Sequence, residues 1–347
     1  MKRLTLILAA LMVAGAASVV VAGDYHTGLS LVCSDCHIAH YSQSHGYNAD
    51  GTGIFVPLGT GGPFTDLLRD EEVKLCLSCH NNSAFAPDVF GSNGGNGVIR
   101  QAGGLNIDPA HGINELGYSP AGGHTMHSTS MPPGGTGTAY VVGGEGLVCT
   151  NCHAQHGSAT QYRNLLNRGI FAGDSVTYAI GTNNLAKDVY ERAAGSYAEA
   201  DVDFNEPNTS NSFYGQWCQN CHNDFHGISG SAAMGGQSGG VTSANVNPWK
   251  RHPVQDVNIG TPGATHISNL ARYNTRTNKV KVMDSQGLWT GTGTNTTVTP
   301  SCMSCHKAHG NKNAFGLIFM HGTGTRTEEG DGGVYKDLCR QCHSQGA

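Results

Sequence analysis

The stretch CSDCHIAHYSQSH, residues 33 to 45, holds two cysteines and three histidines in thirteen residues. Its first five residues set a pattern: Cys33, two intervening residues, Cys36, then His37. The pattern recurs at Cys76/Cys79/His80, Cys149/Cys152/His153, Cys218/Cys221/His222, Cys302/Cys305/His306 and Cys339/Cys342/His343. The six pairs use all 12 cysteines of the chain. Disulfides, or zinc held by pairs of CxxC, are the first alternatives for such a count. Neither requires a histidine directly after each pair. With 18 histidines in 347 residues, six chance placements have a probability of roughly 10⁻⁸, far outside what the motif rule allows for coincidence.

Covalent c-type haem does require that histidine. Two thiols add across the two vinyl groups of the porphyrin as thioethers, and two intervening residues let both sulfurs reach along one edge. On a helical turn, positions i, i+3 and i+4 share a face. The histidine at i+4 then meets the iron from the same side. The pattern predicts six covalently bound haem c groups, with His37, His80, His153, His222, His306 and His343 as proximal iron ligands.

Each iron keeps one further axial position, and what fills it separates a wire from an enzyme. Twelve histidines remain. The eight methionines, the other common axial ligand, show no matching pattern. His40, His156 and His309 each follow a proximal histidine by three residues, and His226 follows by four. None of these four can bind its own motif's iron, because a residue one turn away stays on the near face. Each is expected to reach a different haem. His124, His252 and His266 complete the distal candidates, with His127 competing with His124. His26, His45, His111 and His321 read as solvent-facing or bonded to propionates.

The remaining composition fits a cofactor-organised fold. Glycine numbers 50 and charged residues are 13%. Segments such as GSNGGNG favour loops. About 54 residues serve each motif after position 22, too few for six separate domains. The expected fold is a multihaem c-type cytochrome of loops and short α-helices with little sheet. Its interior is a continuous stack of six haems that makes up for a weak side-chain core. LLRDEEVKLCLSCHNN predicts a helix with acidic residues in its first turn and the motif in its last. DGGVYKDLCRQCHS predicts another, with Asp331 as cap, and Asn183–Gly195 predicts a packing helix.

Residues 1–22 carry Lys2, Arg3, an apolar run and small residues ending at Ala22. They read as a secretory signal peptide, too short for a comfortable membrane span. Residues 23–347 are then expected as one hexahaem domain outside the cytoplasm, with no membrane span after cleavage and no nucleic-acid partner.

The haem segments YHTGLSLVCSDCHIAH, LVCTNCHAQHG, WCQNCHNDFH with KRHPV, CMSCHKAH and DLCRQCHSQGA resemble the OmcS-type hexahaem extracellular cytochromes of metal-reducing bacteria, in order and number of motifs. The loops between them resemble that family poorly. The resemblance implies polymerisation into conductive filaments. It also implies that His40 crosses to the adjacent subunit and ligates the haem of Cys302, Cys305 and His306. Such a head-to-tail, non-closing contact generates a filament.

Six coordinatively saturated haems predict electron transfer and no enzyme activity, with low, spread potentials. Expected partners are other copies of the chain, other cytochromes and extracellular electron acceptors. Two alternatives stay open: a multihaem reductase of oxyanions, which needs one open haem position, and a monomeric periplasmic electron shuttle.

Overall fold

The computed structural model describes residues 26, 31, 33–38, 59, 61–81, 86, 89, 102–106, 122–133, 145–156, 161–166, 189–190, 202, 204, 214, 217–218, 220–222, 270–276, 279–284, 288–289, 298, 300–311, 313–318, 328 and 338–342. The expected signal peptide and Asp331 lie outside them. Among the described residues there is no extended strand, only isolated β-bridges. Among the described residues four short α-helices have defined bounds: α1 (Cys33–Cys36), α2 (Glu72–His80), α3 (Leu270–Asn274) and α4 (Cys302–Cys305).

The CxxCH pattern folds as a single turn because its fifth residue closes on its first. The N–H of the histidine donates to the first cysteine's carbonyl in His37, His153, His222 and His306, at 2.8–3.0 Å. Ser301 and Ser304 cap α4 reciprocally: Ser301 Oγ accepts from Met303 N–H, and Ser304 Oγ accepts from Ser301 N–H. Helix α2 forms on the acidic run as expected. Glu71 caps it by accepting from the N–H groups of Val73 and Lys74, and Glu72 adds charge at the positive end of the helix dipole. Glu72 Oε1 also accepts from Thr150 N–H at 2.9 Å, seating α2 on the third motif.

Motifs one, three and five share a local architecture that the sequence reading did not anticipate. After each, the chain returns through a tight turn at Thr65–Leu67, Tyr162–Asn164 or Ala314–Gly316. Each turn holds two consecutive residues at positive φ: Asp66 and Leu67, Arg163 and Asn164, Phe315 and Gly316. Two left-handed residues spanned by an i to i+3 bond make the type I′ turn, closed here by Leu68, Leu165 and Leu317 donating to Thr65, Tyr162 and Ala314. The returning chain then brackets the motif. Ile38, Ala154 and Lys307 donate to Leu67, Asn164 and Gly316, while Arg69, Leu166 and Ile318 donate to Cys36, Cys152 and Cys305. Left-handed conformation costs a non-glycine residue about 1–2 kcal/mol, so the three repetitions point to a geometric task.

The side-chain core is larger than composition suggested. Fifteen buried hydrophobic residues cluster in the C-terminal two-thirds, among them Tyr162, Tyr190, Phe204, Tyr273, Met283, Trp289, Met303 and Ile318. Tyr273 Oη donates to the Val280 carbonyl at 2.6 Å and accepts from Trp289 Nε1–H at 3.0 Å. Helix α3 is tied to motif six by Arg272 and Arg276, which both donate to the Arg340 carbonyl. A smaller cluster of Val73, Leu105, Met126 and Val148 lies between α2 and the third motif. Val189 and Tyr190, the described part of the expected 183–195 helix, sit instead in a bend, buried in the large core.

Candidate haem sites

The six cysteine pairs follow one another in space as they do in sequence. The thiols of Cys76 and Cys79 lie close enough to Cys36 that, after burial itself, they help push it up to about 11. The Cys149 thiol lies beside that of Cys76, and the Cys218 thiol beside that of Cys302; Cys149 and Cys218 are both raised. Cys152 acts on Cys218, which links motifs three and four. Burial, then Cys342 and Cys339, push Cys305 up to about 12, which links motifs five and six. All twelve cysteines are free of disulfides. Among the described residues no cluster of three or more Cys, His, Asp or Glu is arranged to hold a metal ion without a porphyrin.

Four of the motif histidines face a second imidazole. His37 faces His156 with ring centroids 6.2 Å apart, His80 faces His26 at 5.8 Å, His153 faces His309 at 6.1 Å and His222 faces His124 at 6.0 Å. Imidazole–metal bonds are about 2 Å and the ring centre lies about 1 Å behind the nitrogen, so two imidazoles on opposite sides of one metal place their centres about 6 Å apart. The interplanar angles run from 28° to 77°. Rotation about the nitrogen–metal–nitrogen axis leaves that angle free, so all four pairs fit the same function.

The ring nitrogens are oriented consistently. Nδ1 faces a backbone carbonyl in His37 (Asp66, 2.9 Å), His153 (Arg163, 3.1 Å), His306 (Phe315, 2.8 Å) and His222 (Pro133, 2.7 Å). The same holds for His26 (Gln155, 3.1 Å) and His124 (Ala308, 2.7 Å). A carbonyl can only accept, so Nδ1 carries the proton and Nε2 keeps its lone pair for a metal. This is the task of the I′ turns: the left-handed Asp66, Arg163 and Phe315 supply the carbonyls that fix the proximal rings.

Enclosure disfavours the charged form of five of the imidazoles, His124, His153, His222, His306 and His309. The His124 ring has exposed area yet is packed about by the chain, and that packing governs its titration. Burial, with the neighbouring His222, pulls His124 down to about 4. Burial, then His153 and His124, pull His309 down to about 3. Burial also lowers His153, His222 and His306. Neutral imidazole is the form that binds a metal.

His124 and His309 are delivered by a crossing of three backbones. His124 N–H donates to the His309 carbonyl, His309 N–H to the Ala102 carbonyl, and Gly104 N–H to the Gly310 carbonyl. Glycine is required here: a Cβ on Gly310, whose φ is +140°, would stand 2.5 Å from Gly123 Cα.

Among the distal candidates, His124, His156 and His309 each stand opposite a proximal ring. His40, His226, His252 and His266 lie outside the described residues, as do the proximal His343 and the histidines at 45, 111 and 321. His26, read as solvent-facing, stands instead opposite His80. It shares a following threonine with His124, the one sequence signal that joins them. His127 does not compete with His124: its Nε2 is 3.5 Å from Glu71 Oε1. No helix among the described residues is long and apolar enough to cross a membrane.

No family model matches the chain. A curated relative, the C-type cytochrome OmcS of Geobacter sulfurreducens, is 24% identical, covering 82% of this chain and 78% of its own length. Two solved structures from the same organism also match, each at 16% identity. One is a cryo-EM structure of OmcS nanowires, with a TM-score of 0.38 over 91% of this chain and 94% of that one. The other is an Outer Membrane Cytochrome S filament, with a TM-score of 0.39 over 84% of each chain. At such TM-scores the superposition carries no residue-level correspondence. By sequence, the chain is similar over most of its length to the OmcS-type c-type cytochromes.

Proposed function

We propose that this chain is an extracellular electron-transfer protein that holds six c-type haems in motif order and polymerises head to tail. The observation that carries the reading is the set of four facing imidazole pairs about 6 Å apart, at the spacing that metal–imidazole bonds require. When bound, each haem iron takes up and gives up one electron. The chain's residues do the rest. Cys33, Cys36, Cys76, Cys79, Cys149, Cys152, Cys218, Cys221, Cys302, Cys305, Cys339 and Cys342 attach the porphyrins. His37, His80, His153, His222, His306 and His343 hold the irons from the near side.

The far-side assignments follow a register of two. His309 belongs to the fifth motif and faces the third; His156 belongs to the third and faces the first. Continued one step, His40 of the first motif reaches two motifs further back, beyond the start of its own chain. In a head-to-tail assembly that position is the fifth motif of the preceding subunit. The proximal His306 of that motif faces no second imidazole among the described residues. His26 and His124 serve the second and fourth motifs. His226, His252 and His266 remain as far-side candidates for the sixth. The sequence likeness to OmcS, a cytochrome solved as nanowires, supports this assembly; an extracellular setting, with other cytochromes or extracellular acceptors as partners, goes with it.

Electron transfer without catalysis requires every iron to be saturated. The purified protein is expected to show a wholly low-spin spectrum, no carbon monoxide adduct when reduced, and fibres in negative stain. His40→Ala is expected to give single particles with one high-spin, carbon monoxide-binding haem. A carbon monoxide adduct in the unaltered protein would favour an oxyanion reductase. Single particles of unaltered protein would favour a monomeric shuttle.

A further inference from the structure

A buried charged group lies beside the fifth motif. Lys281 Nζ and Glu328 Oε1 form an ion pair with neither side chain exposed. Lys281 Nζ lies 4.5 Å from the centre of the Tyr190 ring, and Lys307 Nζ lies 5.9 Å from it on the same ring. Tyr190 Oη donates to the His306 carbonyl at 3.1 Å and contacts Met303 Sδ. Asn311 Nδ2 donates to the Glu328 carbonyl at 2.6 Å, and Val280 N–H donates to Gln341 Oε1 of the sixth motif at 2.8 Å. The group is thus fastened to the residues that flank the fifth iron ligand.

Stability does not account for it. A buried ion pair is commonly no better than apolar side chains of the same volume. A redox role does account for it. Sites that share one axial-ligand type are distinguished by burial, hydrogen bonding and nearby charge. An ammonium near an iron stabilises an added electron, and a carboxylate opposes it; in a dry interior both effects are strong.

We propose that Lys281 and Glu328, held against the Tyr190 ring, set the reduction potential of the fifth haem by opposed charges. The inference rests on the haem reading above. Each transfer reduces one ferric iron by a single electron and oxidises a ferrous neighbour by the same electron. No bond or proton changes at the iron. Both residues are therefore positioning and tuning groups and touch no substrate.

Spectroelectrochemical titration of the fully haem-loaded protein, with the six components separated by paramagnetic NMR, tests this. Glu328→Gln is expected to move one component to higher potential, and Lys281→Gln to move the same component lower, leaving the other five in place. Should either single variant fail to fold, Lys281→Met/Glu328→Met replaces the pair with apolar side chains and is expected to shift that component alone. Unchanged potentials, shifts of equal sign, or a drift of all six together overturn the proposal. Fewer than six low-spin haems in the unaltered protein overturns the haem reading instead.

Discussion

His309 stands opposite His153 with ring centres 6.1 Å apart, although its own motif ends at His306, three residues before it. The fifth motif's segment thus reaches back to the third motif. Replacing His309 with alanine is expected to open the third site and leave the fifth untouched. The measurable result is one high-spin haem in six, with one carbon monoxide adduct per chain. Assignment by paramagnetic NMR should place it on the haem of Cys149 and Cys152.

His26 precedes the first motif yet faces His80 of the second. His26→Ala is expected to give one high-spin haem at the second site. The first site, seven residues downstream, should keep its spectrum. A change confined to the first site would contradict the pairing.

Gly310 lies where the backbone of Gly123 passes, and that crossing carries both His124 and His309. Gly310→Ala is expected to disturb the third and fourth sites together, which neither single histidine variant does. Loss of low-spin character at two haems at once, read by magnetic circular dichroism, is the expected signature.

Tyr273 accepts from Trp289 and donates to Val280 in the interior of the large core. Tyr273→Phe leaves the Trp289 N–H and the Val280 carbonyl without this partner, at a cost of about 1–3 kcal/mol. Chemical denaturation should show that loss with the six haem spectra unchanged before unfolding.

The six CxxCH motifs, from Cys33 to His343, stood out in the sequence because covalent haem attachment would dictate their spacing. So did helix α2, whose acidic cap and motif lie in one continuous run. The trailing histidines showed that they must leave their own iron, since one helical turn cannot cross a porphyrin plane. They did not show where they go, because the step of two motifs comes from chain crossings such as Gly103–Gly310 that join distant segments. His26 was read as solvent-facing for the same reason: beyond the threonine that follows it, as one follows His124, nothing local marks it. The carbonyls of Asp66, Arg163 and Phe315 are backbone atoms, invisible to residue-type reasoning. The leucine directly after each turn, Leu68, Leu165 or Leu317, was their one trace in the sequence. The core around Tyr273 and Trp289 was underestimated because its members are spread thinly from residue 162 to 338, with no amphipathic period to announce them.

A cryo-EM map of the secreted protein tests the central claim most directly. The account predicts fibres in which six porphyrins follow one another in motif order. His156 and His309 should sit on the irons of the first and third motifs, and His40 of each subunit on the iron beside His306 of its neighbour. Isolated particles, or a map in which His156 and His309 bind no iron two motifs back, would contradict it.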